Sequence, residues 1–190
     1  MKKMLFVYIA MVAAVLLGPS SVSAQMMGKS ENPMVGGAAM YKTKNIVENA
    51  VNSKDHTTLV AAVKAAGLVD TLASAGPFTV FAPVNSAFEA LPAGTVDTLL
   101  KPENKAMLTK VLTYHVIAGN FSSKDVMNAI KKGNGKAEFT TIAGANLWAM
   151  MDGNSVVLMD EKGGRSRVTI ADVRQSNGVI HVVDAVLLPN

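Results

Sequence analysis

The chain has 190 residues, of which 49% are hydrophobic, 17% charged and none cysteine, and its formal net charge is +4. That length holds one principal domain and argues against a two-domain enzyme. The missing thiols exclude disulfide support and any cysteine nucleophile, and so small a charge offers no clustered footprint for phosphates, so no nucleic-acid partner is expected.

Lys2 and Lys3 precede an uncharged run from Met4 to Leu17, followed by Gly18-Pro19, with the small residues Val22 and Ala24 at the minus three and minus one places. This pattern predicts a secretory signal peptide over 1–24. A membrane helix needs about 18 to 20 apolar residues, and this run has 14. No membrane span is expected after cleavage. Removal of Lys2 and Lys3 leaves 16 basic against 14 acidic side chains on a 166-residue mature chain, a net +2. The expected location is secreted or periplasmic, and a core of that size can be stable without disulfides.

Residues 25–40, QMMGKSENPMVGGAAM, contain Pro33, three glycines and no apolar period, and predict a flexible tether ahead of a single domain at 41–190. Thioethers suit Cu(I), but the four methionines of the tether have no fixed spacing and no nearby His. No metal or other cofactor is expected.

From Thr43 a helical period places Ile46, Val47, Ala50 and Val51 on one face, and after Asp55 a second places Leu59, Val60, Val63 and Ala66 together before Gly67. A short turn with Leu68, Val69 and Leu72 ends at Gly76-Pro77. Phe78 to Phe81 then reads as a strand, broken by Pro83. Ser86 and Glu89 have capping-box spacing for a helix from Ala87 to Leu91. Thr95 can cap a turn with Leu99 and Leu100, and Pro102 can open a helix carrying Met107, Leu108, Val111 and Leu112. Tyr114 to Ile117 reads as extended, after which Ser122 or Ser123 caps a helix with Val126, Met127 and Ile130, ended by Gly133.

From Lys136 onward strands are predicted at 137–142, 147–151, 155–159, 168–173 and 179–188, with Asn177-Gly178 as a hairpin signal. Helices first and strands later predict an α+β domain whose sheets are mainly antiparallel.

The chemistry-bearing residues propose no enzyme. His56, His115 and His181 stand about sixty residues apart with no paired ligand motif, and no serine lies in a nucleophile elbow. Gly133-Asn134-Gly135 lacks the third glycine and the preceding strand of a dinucleotide loop. Asp160-Glu161, beside two glycines, reads as a solvated turn.

Three segments together carry a resemblance. TVFAPVNSAFEAL at 79–91, TYHVIAG at 113–119 and NGVIHVVDAVLLP at 177–189 resemble, in order and spacing, the first signature, the central Tyr-His motif and the closing signature of the fasciclin-type adhesion domain. Val84 stands where relatives often have Thr, which removes a local hydroxyl contact to the backbone. The resemblance implies a wedge or sandwich of short, mainly antiparallel strands with a helical layer beside it. It also implies an exported, non-enzymatic adhesion or interaction module whose partner is a surface, matrix or envelope macromolecule.

Tyr114 and His115 match the segment through which some relatives contact partners, and Asp172-Val173 sits where relatives place Asp-Ile. These four are the candidate partner-binding residues, weighed against buried structural roles for Tyr114, His115 and His181. The apolar runs around Val80-Phe81 and Val179–Leu187 are expected as central strands buried on both faces. A monomer is expected. The alternative function is a periplasmic carrier of a small apolar ligand, which needs a pocket between the helical layer and the sheet.

Overall fold

The computed structural model describes residues 32–190. The expected signal peptide and residues 25–31 of the expected tether lie outside the described residues. What remains of the tether is not one. Met34–Val35 (β1) and Ala38–Ala39 (β2) form a small antiparallel hairpin across Gly36-Gly37, both at positive φ, and Val35 and Met40 are buried in the core. Two glycines that adopt the left-handed region freely, flanked by apolar pairs, are a hairpin signal that the tether-like composition conceals.

Helix α1 (Ile46–Ala50) starts at a full capping box: the Asn45 side chain accepts from the Glu48 amide at 2.9 Å, and the Asn45 amide donates to the Glu48 carboxylate at 2.8 Å. A 3-10 turn at Lys54–His56 leads into α2 (Thr57–Ala66), which buries Leu59, Ala62, Val63 and Ala66, one stripe at i, i+3, i+4 and i+7. Gly67, at φ +72°, ends it. Helix α3 (Val69–Ala73) and strand β3 (Phe78–Pro83) follow.

Helix α4 (Asn85–Glu89) begins two residues earlier than its predicted start at Ala87 and has no capping box. Its N-cap is Val84, which has no hydroxyl to cap with. Asn85 instead ties the turn to α2, accepting from the Thr58 amide at 3.0 Å and donating to the Lys54 carbonyl at 2.8 Å. Helix α5 (Thr95–Leu99) is preceded by Gly94 as N-cap rather than capped by Thr95.

Pro102 opens a separate 3-10 turn, and helix α6 (Lys105–Tyr114) buries Leu108, Val111 and Leu112 but leaves Met107 at 58% exposure. Tyr114 is the last residue of that helix, so the extended segment is only β4 (Val116–Ala118). Helix α7 (Ser123–Lys132) has the expected cap at Ser122, in a capping box with Asp125.

The strands after α7 are β5 (Lys136–Thr140), β6 (Asn146–Asp152), β7 (Ser155–Met159), β8 (Arg165–Gln175) and β9 (Gly178–Val183). With β3 and β4 they form a seven-stranded sheet of order β4-β3-β9-β8-β7-β6-β5, antiparallel throughout except for the parallel pair β3·β9. The Ile142 amide, just past β5, donates to the Val116 carbonyl of β4 at 2.8 Å, which links the two edges of the sheet.

The expected hairpin before β9 is present but shifted: Ser176 and Asn177 form its turn, and Gly178 is already in the strand. A Cβ on Gly178 would lie 2.0 Å from the Phe78 carbonyl oxygen, so the close approach of β9 to β3 requires glycine there.

In β3 and β9 the side chains divide by period two. Val80, Ala82, Ile180 and Val182 join a core with Ile46, Leu59, Leu72, Leu108 and Leu112 from the helices. Phe81 and Val183 join a second core with Ile130, Phe139, Leu147 and Leu158. The two motif strands therefore lie side by side at the centre, covered on both faces.

Candidate functional site

Burial of the central strands decides the fate of the Tyr-His motif. Tyr114 is 0% exposed, and its hydroxyl donates to the Asn146 carbonyl at 2.6 Å. Burial pushes its pKa up to about 12. His115 is buried beside it in edge-to-face contact. Its Nδ1 donates to the Val111 carbonyl at 2.8 Å, and its Nε2 accepts from the Leu187 amide at 3.0 Å. These partners dictate a neutral ring, and burial lowers its pKa.

His181 and His56 repeat the arrangement. Burial lowers the pKa of both. His181 Nε2 donates to the Phe121 carbonyl at 2.8 Å, its Nδ1 accepts from the Asp172 amide at 3.3 Å, and its ring stacks on Phe81. His56 Nε2 donates to the Ala82 carbonyl at 3.4 Å, while Nδ1 accepts from the Ser53 hydroxyl at 2.9 Å. Each imidazole ties together backbone segments distant in sequence. Among the described residues no group of three or more acidic or histidine side chains could hold a metal ion.

Asp172 has φ +60°, a left-handed conformation uncommon for a residue with a Cβ, within an irregular stretch of β8. Three contacts hold it there: its carboxylate accepts from the Ser123 amide at 2.7 Å and from the Ser123 hydroxyl, and its own amide donates to His181. The carboxylate thereby sits at the start of α7, where the unpaired amides and the helix dipole favour an anion. Val173, next to it, is 0% exposed and belongs to the helix-side core. Of the four candidate partner-binding residues, Tyr114, His115 and Val173 are corrected to buried positions, out of a partner's reach. Asp172 alone is half-buried, and its carboxylate is engaged with α7.

Asp160 is a further correction, being 4% exposed rather than solvated. Its carboxylate accepts from the Gly164 amide at 2.6 Å, the Lys162 amide at 3.0 Å and the Leu188 amide at 3.0 Å. Asn177, expected only as a turn residue, also ties three segments together: its side chain accepts from the Ile46 amide at 3.0 Å and donates to the Leu72 and Ser74 carbonyls at 2.8 Å.

One exposed face of the domain lies on β5 to β8. Ala137, Phe139, Leu147, Ala149 and Leu158 point into the second core, so their alternates, Trp148 among them, occupy the opposite face. The Lys136 ammonium lies 4.6 Å from the centre of the Trp148 ring, whose Nε1 donates to Glu138 at 3.0 Å. Strand alternation in residues 147–150 was the signal that places Trp148 outside.

A wedge-shaped α+β domain of this kind is the fold of a solved FAS1 domain pair from the insect cell adhesion molecule Fasciclin I. The match has a TM-score of 0.68 at 17% identity over 76% of this chain and 51% of that one. The family model for the fasciclin domain matches residues 54–189, and the chain belongs to that family.

Among curated relatives, Protein sll1483 of Synechocystis is 44% identical over 90% of this chain and 88% of its own length. Immunogenic protein MPB70 of Mycobacterium bovis is 35% identical over 90% of this chain and 75% of its own. Cell surface glycolipoprotein MPB83 of the same species is 32% identical, covering 90% of this chain and 66% of its own. No helix among the described residues is long and apolar enough to cross a membrane.

Proposed function

We propose that this protein is an exported, non-enzymatic adhesion or interaction module that binds a cell-surface, matrix or envelope macromolecule. Membership of the fasciclin family supports this reading, as do relatives named for adhesion and for the cell surface. The observation that carries it is the state of the three histidines. Both ring nitrogens of each are committed to a partner within the fold, so none is poised as a general base or ligand.

Recognition then falls to the exterior, through shape and a few polar anchors. Affinity capture by the tagged mature chain from envelope or matrix extract is expected to recover one partner reproducibly. Repeated recovery of nothing contradicts the proposal.

The carrier alternative needs a ligand-sized pocket. Cavities do lie between helices and the sheet, but one, lined by Val35, Met40, Ile46, Val63, Leu112 and Val173, measures about 60 Å³, and another, more open and lined by Phe81, Ser123, Val126, Met127 and His181, about 230 Å³. Sites for drug-sized ligands run to roughly 300–1,000 Å³. Native mass spectrometry of the mature chain is expected to give the bare mass, and a retained small molecule would reinstate the carrier.

A further inference from the structure

We propose that the outer face of β5 to β8 docks an acidic polysaccharide, whose sugar rings rest on Trp148 and Met159 and whose carboxylates pair with Lys136, Arg165 and Arg167. This rests on the interaction-module reading and gives its partner a chemistry.

The register of the sheet builds the surface. Two rows of directly opposed residues cross four strands: Glu138, Trp148, Met159, Arg165 and, beside it, Lys136, Met150, Val157, Arg167. Each row has apolar residues at its centre and charged residues at its ends. Lys136, Glu138, Arg165 and Arg167 are exposed, and Trp148, Met150 and Met159 are half-buried. Val157 is 4% exposed and forms the floor. The Glu138 carboxylate at its Nε1 and the Lys136 ammonium over one face of its ring fix the indole, so the platform is ordered before anything binds.

The charges favour an anionic partner. Arg165 has no carboxylate at ion-pairing distance among the described residues, and the Lys136 ammonium faces the Trp148 ring rather than an acid. Arg167 is bound to Asp152 at 3.0 Å, but both side chains are about half exposed, so the pair is open to exchange for an incoming carboxylate.

Spacing and shape favour a sugar chain. Strands lie about 4.8 Å apart, so the backbones of β5 and β8, which carry the cations, are roughly 14 Å apart with apolar side chains between them. A polyuronate carries an apolar C–H ring face and a carboxylate on every residue, so one extended chain can rest rings on the floor while some of its carboxylates reach the cations at either end. An acidic polypeptide would meet the charges but has no use for an aromatic platform.

Trp148 is the only tryptophan of the chain, so its fluorescence reports on this face directly. Alginate, a polyuronate, titrated into the mature chain is expected to change Trp148 emission saturably and less at high salt, with dextran, a neutral glucan, as control. The double variant K136Q/R165Q is expected to keep its thermal midpoint and bind alginate about tenfold more weakly, as loss of two exposed charge pairs implies.

Absence of any emission change with alginate, equal binding by the double variant, or equal binding of poly-glutamate or dextran overturns the proposal. Undiminished capture of an envelope or matrix partner by the double variant also overturns it while leaving the interaction-module reading in place. A wild-type chain that holds neither alginate nor any envelope component overturns both.

Discussion

Along β9 every residue from Gly178 to Val183 is buried, whereas along β5 burial alternates residue by residue. The two strands belong to one sheet, yet β9 sits between two cores and β5 faces a core on one side and water on the other. The difference separates two kinds of sequence information. The motif strands β3 and β9 are recognisable because burial on both faces leaves few acceptable residues, and the same burial leaves their side chains little contact with solvent. The exposed face of β5 carries no such motif.

The comparison is most easily broken by substitution at its centre. Phe81→Ala empties a fully covered site in the second core and is expected to cost about 3–5 kcal/mol, read as a lower denaturation midpoint. A midpoint equal to that of the parent chain would remove Phe81 from the core.

Acid is the next largest lever. The folded pKa values of His56, His115 and His181 lie below the unfolded value of about 6.5, so below that pH the unfolded chain binds more protons than the folded one. Stability is therefore full above that pH and declines as pH falls through it. The expected loss is on the order of 1.4 kcal/mol per pH unit for each ring that stays neutral in the fold. Asp125, whose Ser122 hydrogen bonds lower its pKa, adds its own loss only in more acid solution, as pH falls below the ordinary carboxylate value. Denaturation midpoints that are flat between pH 7 and 5 would contradict the crosstie role.

At the small end, Arg165→Gln on the exposed flank is expected to shift stability by less than about 0.5 kcal/mol. A larger loss would mean that the flank is structural too.

Much of the fold was legible because local rules governed it. The Ser122 cap, the Leu59 to Ala66 stripe and the central strands follow from hydrogen-bonding groups and periods within a few residues. What was hidden depends on partners far along the chain. Asp160 reads as a solvated turn until the Leu188 amide reaches it, and Asp172 reads as a partner-binding carboxylate until Ser123 engages it. Residues 33–40 look like a linker by composition, and only the seating of Met40 at 2% exposure reveals a hairpin that completes the core. Tyr114 was misplaced by helix length alone: α6 runs to it, and its hydroxyl then has an interior carbonyl within reach.

The central claim is that the two motif strands form the innermost, least yielding part of the domain, and hydrogen exchange of the native chain tests it most directly. The ladder amides of residues 78–82 and of Gly178–Val183 are expected to exchange only on global unfolding, while those of Lys136–Thr140 open earlier. Central amides that exchange as fast as those of the β5 edge would contradict the account.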